Sequence, residues 1–323
     1  MVPLQQGHFW SEFVRTTDPF WNGVRSSLVG LYAISPEFTP QFLGTGFVVG
    51  TSEEGFLLVL TAKHVVVEGA IQVQIPYRRR TSSAPSVLFE SNQPSIEPKN
   101  LRAVWMGTDS ADILFVRHIN YTNNLDVALC VLEYQPEFLK LRRPSATAIA
   151  LDTRFPEVGE PVHVVALTDF IFDGESPKGD GEGAWQVSTR PVVRVGNVLS
   201  LEDGSLGHGG ACFRTTIPVD KGMSGGFAYI PRDGQAVAAC GILSSGPQED
   251  DKQSSFLVSG NSAFAGVLGS VGLELPAELC RGQRIRLLDL IKSGQITDVG
   301  DGATKVEIVD IREGGSYKLV RQT

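Results

Sequence analysis

The chain has 323 residues, 42% of them apolar and 20% charged, and its 28 basic against 36 acidic side chains leave a net charge of −8. That composition supports one large or two small hydrophobic cores and excludes an intrinsically disordered chain, which is poorer in apolar residues and richer in charge. The acid excess argues against non-specific nucleic-acid binding, which needs Lys and Arg to neutralise phosphates, and no run approaches the roughly 18 apolar residues of a membrane span.

Residues 1–24 form an N-terminal segment. Its opening, Met1-Val2-Pro3-Leu4-Gln5-Gln6-Gly7-His8-Phe9-Trp10, lacks the basic start and apolar run of a secretory signal, so a cytoplasmic protein is expected. From there the chain is a succession of short, β-branched apolar runs bounded by Gly, Pro, Asp or Ser: Gly46–Val49, Gly55–Leu60, Ile71–Ile75, Ile113–Val116, Val127–Leu132, Val162–Ala166, Val192–Val195, Phe227–Ile230 and Ala236–Leu243. This is strand signature at all-β spacing, and the 35 Gly and 18 Pro supply the turns. Two stretches read as loops: Tyr77–Asn100, with Arg78-Arg79-Arg80 as a solvated basic run, and the Gly- and Asp-rich Asp169–Trp185. Gln135–Ser145, with two prolines and several charges, is the expected join between two β-domains, 25–140 and 141–275.

Helical periodicity is almost absent until Arg284–Lys292, where Ile285, Leu287, Leu288 and Ile291 share a face and Ser293-Gly294 closes the helix. A hairpin follows, Lys305–Ile311 and Tyr317–Val320 around Glu313-Gly314-Gly315. Residues 276–323 are therefore an extension that packs on a barrel or recruits a regulatory partner. The four cysteines, Cys130, Cys212, Cys240 and Cys280, are far apart and show no metal spacing. They read as free thiols in a reducing compartment, and no metal or cofactor is expected.

The chemistry concentrates in Asp220-Lys221-Gly222-Met223-Ser224-Gly225-Gly226. A serine among glycines can be presented on a sharp turn, and the N–H groups of Gly222 and Ser224 can converge on a developing oxyanion, at about 3–4 kcal/mol per donor. The stretch also fits the nucleophile elbow G-x-S-x-G, but that fold needs a helix and a histidine after the serine. Here a strand-like run follows, and His8, His64, His118, His163 and His208 all precede Ser224. An upstream base is therefore required. His64 ends the apolar run Leu57–Ala62, where packed strand residues can hold its ring. The orienting carboxylate is Asp126, ahead of Val127-Ala128-Leu129, or Asp112, ahead of Ile113-Leu114-Phe115. Spacing slightly favours Asp112, whereas the small Ala128 and the Asn123-Asn124 lead-in favour Asp126.

Taken together, these pieces resemble the chymotrypsin-like serine proteases, closest in style to the bacterial HtrA-type and glutamyl-endopeptidase-like branches. The matching motifs run in family order: Gly44-Thr45-Gly46-Phe47-Val48-Val49, Thr61-Ala62-Lys63-His64, Asp126-Val127-Ala128-Leu129, Gly222-Met223-Ser224-Gly225-Gly226 and Gly241-Ile242-Leu243-Ser244-Ser245-Gly246. The resemblance implies an all-β fold of two six-stranded antiparallel β-barrels with the site between them, extended here by the C-terminal helix and hairpin. It implies a triad of His64, Asp126 and Ser224, an oxyanion hole of Gly222 and Ser224, and an edge strand Ser244-Ser245-Gly246 that pairs with a peptide or protein substrate. A catalytically silent peptide-binding module and an esterase with the same triad are the competing functions.

Three departures stand out. Val65 replaces the family's frequent cysteine after the histidine. Met223 replaces the aspartate that pairs with a newly cut N-terminus in trypsin-type members, so that activation switch cannot operate. Pro218 stands six residues before Ser224, so nothing indicates a pocket for Lys or Arg. Residues 276–323 are too few for the additional peptide-binding domain that HtrA-type members often carry.

Overall fold

The described residues form two β-barrels and a C-terminal extension. The structure, a computed structural model, describes residues 19–34, 40–52, 55–67, 101–106, 111–121, 125–134, 146–173, 186–202, 212–232, 234–245, 262–312 and 316–322. The first barrel is built from β1 (Leu28–Ile34), β2 (Pro40–Thr51), β3 (Leu57–Thr61), β4 (Leu101–Met106), β5 (Ala111–Tyr121) and β6 (Ala128–Tyr134). They close in the order β1-β2-β3-β6-β5-β4, all antiparallel. β3, Leu-Leu-Val-Leu-Thr, is buried along its whole length, so both of its faces are covered. Bulges between Leu31 and Tyr32, Val48 and Gly50, and Val116 and His118 bend the strands into closure.

The second barrel uses β8 (Pro161–Asp173), β9 (Gln186–Glu202), β10 (Cys212–Thr215), β11 (Phe227–Tyr229), β12 (Ala238–Ser245) and β13 (Ser262–Gly266), with the short β7 (Ala150–Leu151) parallel to β12. The order β8-β9-β10-β13-β12-β11 closes on itself because β11 pairs with both β12 and β8. Its interior is packed by Phe213 stacked on Phe264, with centroids 5.4 Å apart, and by Val162, Val164 and Met223.

Helical structure is short. α1 (Pro19–Ser26) precedes β1, and residues 63–67 form a helical turn directly after β3. Among the described residues, no helix is long and apolar enough to cross a membrane. Cys130 and Cys240 are free thiols, and burial pushes the Cys130 thiol up to about 12.

The extension packs against the barrels. β14 (Glu274–Leu275) pairs with β15 (Ile285–Arg286), α2 (Leu287–Lys292) follows, and β16 (Val306–Arg312) pairs with β17 (Ser316–Arg321). Leu287, Leu288 and Ile291 of α2 join the same buried cluster as the first barrel. Asp298 fastens the extension to Thr153, whose hydroxyl donates to its carboxylate at 2.7 Å.

Several expectations shift. The helix begins at Leu287, not Arg284, because Ile285–Arg286 is drawn into pairing with β14. Residues 169–173, read as loop, extend β8 against Gln186–Ser188. β1, β4, β10 and β13 lie outside the apolar runs named from the sequence. Ile71–Ile75, Tyr77–Asn100, Gln135–Ser145 and Glu313–Gly315 lie outside the described residues.

Candidate active site

The apolar β3 anchors one side of the site in the barrel wall, and the helical turn after it carries His64. Asp126 lies two residues before β6, the strand that pairs with β3, in the register Thr61↔Ala128. That pairing brings carboxylate and imidazole together across 62 residues of sequence. Asp126 Oδ1 accepts the backbone N–H of His64 at 3.0 Å, and Oδ2 lies 2.9 Å from His64 Nδ1. The two bonds fix the ring, and an Nδ1–H donor leaves Nε2 as the lone-pair nitrogen. The alternative, Asp112, stands in β5 opposite Trp105 of β4.

A third donor reaches Asp126 from the other barrel. The hydroxyl of Ser244, near the end of β12, donates to Oδ2. Burial of Asp126 acts to raise its pKa. The hydrogen bonds and charge of His64, together with the Ser244 hydroxyl, outweigh burial and hold the carboxyl below the usual range. It is thus ionised wherever the imidazole can act as a base. Lys63 is desolvated, which lowers its pKa, and Asp126 partly offsets this. Its ammonium stands 5.4 Å from the centre of the Tyr121 ring.

The Ser224 loop is pinned to the first barrel through Thr45. The N–H of Thr45 donates to Ser224 O at 2.7 Å. Its hydroxyl donates to Gly222 O at 3.0 Å and accepts the Leu167 N–H at 2.9 Å. Thr61, three residues before His64, donates its hydroxyl to Thr45 O at 2.6 Å. Gly225 lies in the same seam with φ of +83°. A Cβ there would run into Thr45 O and Thr61 Oγ1 and come within 3.1 Å of the Ala62 nitrogen. The backbone beside Ser224 therefore touches the segment that leads into His64, and the close approach requires glycine.

Gly222 has φ of +93° and is the third residue of a turn closed by the Met223 N–H on Asp220 O at 3.2 Å. That is the position a type II turn reserves for glycine. Among the described residues, neither the Gly222 nor the Ser224 amide N–H has an acceptor. Two unpaired backbone donors beside a hydroxyl are what an anion site requires.

Near the end of β12, Ser244 commits its hydroxyl to Asp126. Ser245 pairs with Ala263 of β13, and Gly246 lies outside the described residues. The sequence reading missed the Ser244–Asp126 bond and the Thr45 fastener. Both residues lie inside recognised motifs, Gly241–Gly246 and Gly44–Val49, but neither motif names a partner in the other barrel. Among the described residues, no group of three His, Cys, Asp or Glu is placed to hold a metal ion.

A family model described as "Trypsin-like peptidase domain" matches residues 44–238, a span that includes His64, Asp126 and Ser224. No curated protein sequence matches. Among solved structures, human heparin binding protein is similar at 14% identity and a TM-score of 0.42, over 78% of this chain and 90% of that one. A mutant of human heparin binding protein is similar at 13% identity and a TM-score of 0.42, over 75% of this chain and 86% of its own.

Proposed function

The chain belongs to the trypsin-like peptidase domain family, and on that premise we propose that it is a serine endopeptidase that works through His64, Asp126 and Ser224. The observation that carries this reading is the carboxylate of Asp126, which takes both the backbone and the ring nitrogen of His64 within 3.0 Å. A structural aspartate has no need to hold an imidazole in one tautomer.

In the proposed mechanism, His64 Nε2 takes the Ser224 proton as Oγ attacks the peptide carbonyl. Asp126 stabilises the imidazolium that forms without itself becoming protonated. The Gly222 and Ser224 amides receive the oxyanion. Collapse of the tetrahedral intermediate transfers the His64 proton to the leaving amine and leaves an acyl-Ser224 ester, which water hydrolyses by the same steps in reverse. The substrate lies as an added strand along Ser244-Ser245-Gly246. The nearer likeness to HtrA-type and glutamyl-endopeptidase-like branches is supported by Gly44–Val49 and Thr61–His64.

The test is cleavage of a denatured-protein peptide library by the full chain and by Ser224→Ala. Peptide cleavage by the wild type alone supports the endopeptidase. Hydrolysis of activated esters without peptide cleavage points to the esterase. Peptide retention without turnover points to the silent binding module.

A further inference from the structure

Arg194 lies in β9, inside the wall of the second barrel, where it pairs with Val164 of β8. It is only 6% exposed, and a buried guanidinium is costly unless its donors are taken. Two of its acceptors sit on one short segment just before the Ser224 turn. Nη1 donates to Pro218 O at 2.5 Å, and Nη2 forms an ion pair with the Asp220 carboxylate. Asp220 is the first residue of the turn that ends at Met223. Its own N–H donates to the Met223 sulfur at 3.2 Å, and Met223 is fully buried in the second-barrel core. One buried cation therefore grips the loop at Pro218 and Asp220, and the turn it grips carries Gly222 and leads straight into Ser224.

A four-residue turn can flip its central peptide between type I and type II at little energetic cost when glycine occupies the third position. In this loop that peptide is Lys221–Gly222, so the flip decides whether an N–H or a carbonyl oxygen is offered beside Ser224. We propose that Arg194 is a positioning residue: by holding Pro218 and Asp220 it keeps the turn in the form that leaves the Gly222 amide available, and so assembles the oxyanion site from within the barrel. The inference rests on the endopeptidase reading, and it adds that the fold itself sets the loop, with no external chain end needed to order it. Thr45 is the second grip, through the carbonyl of Gly222. Between Arg194 and Thr45 the turn is held at both ends.

The test compares the full-length wild type with Arg194→Met, which keeps the apolar reach and removes the donors, with Arg194→Lys, and with Asp220→Asn. Circular dichroism and thermal unfolding report folding. kcat and KM on a peptide substrate, and hydrogen exchange of the peptide spanning residues 216–226, report the loop. Folded Arg194→Met is expected to lose kcat by about 10²–10³-fold, the range of one missing oxyanion donor, with KM changed less than about threefold. Its exchange should quicken in the 216–226 peptide and not across β3. Arg194→Lys and Asp220→Asn should fall between it and the wild type. If Arg194→Met fails to fold, Asp220→Asn carries the same readouts, because the guanidinium keeps its bond to Pro218. Unchanged kcat with unchanged exchange overturns the proposal, and so does a loss confined to KM. An inert wild type defeats the endopeptidase reading instead. In that case faster exchange in the variant upholds the grip on the loop, and unchanged exchange overturns it.

Discussion

Ser244→Ala removes one hydroxyl and leaves the strand. Ser244 is buried, and its Oγ donates to Oδ2 of Asp126, the oxygen that also faces His64 Nδ1. A hydrogen bond to an ionised group contributes about 1.5–3 kcal/mol. If that stabilisation is felt chiefly as the imidazolium forms, the variant loses about 10- to 100-fold in kcat/KM. Asp126→Asn should lose far more, on the order of 10⁴-fold. Its amide oxygen is claimed by the His64 backbone N–H, so the NH₂ group must face Nδ1 and impose the wrong tautomer. The assay is kcat/KM on one peptide substrate for wild type, Ser244→Ala and Asp126→Asn, each checked for an unchanged unfolding midpoint. A folded Ser244→Ala within threefold of wild type, or one as impaired as Asp126→Asn, would refute the assigned division of labour around the carboxylate.

Thr45→Val keeps the shape but strips a donor from Gly222 O and an acceptor from Leu167 N–H; a loss of about 1–3 kcal/mol in urea unfolding is expected, with reduced turnover. Gly225→Ala combines a left-handed backbone at φ +83° with a Cβ driven into Thr45 O. A cost of about 2–5 kcal/mol follows from conformation and overpacking together, and a soluble, wild-type-stable product would contradict the described seam. Burial holds the pKa of both His118 and His163 below the usual imidazole value. The unfolded chain takes up those protons near pH 6.5 while the folded chain does not, so stability is full above about pH 6.5 and declines on acidification. Asp126, held low, adds its own loss only below about pH 4. The urea midpoint should therefore drop between pH 7.5 and 5.5, and His118→Gln with His163→Gln should flatten that drop; an equal slope in the double variant would dismiss these imidazoles as its source.

The parts of the molecule that show in the sequence are those whose cause is local. β3 is a continuous apolar run ended by Thr61, and the glycines around Ser224 answer to backbone angles at Gly222 and Gly225. The hidden parts answer to distant partners. β13 reads Ser-Ala-Phe-Ala-Gly, poor in β-branched residues, because its Gly266 lies under the ring of Phe155. Gly30 interrupts β1 for the same reason, with the Phe170 ring against it. Side chains missing from a strand to make room for a ring elsewhere leave no periodic trace. Ser244 meets Asp126 across 118 residues, and Arg194 sits in an apolar strand whose sequence says nothing of Asp220. The helix start moved because strand pairing at Ile285–Arg286 outcompetes the first helical turn.

The proposed convergence of His64, Asp126 and Ser224 on one reactive hydroxyl is tested most directly by treating the full chain with a fluorophosphonate and mapping the adduct by mass spectrometry. The account predicts a single phosphonylated residue, Ser224, in the wild type, and no adduct in His64→Ala. An unlabelled wild type, or label on another serine that persists in Ser224→Ala, would contradict it.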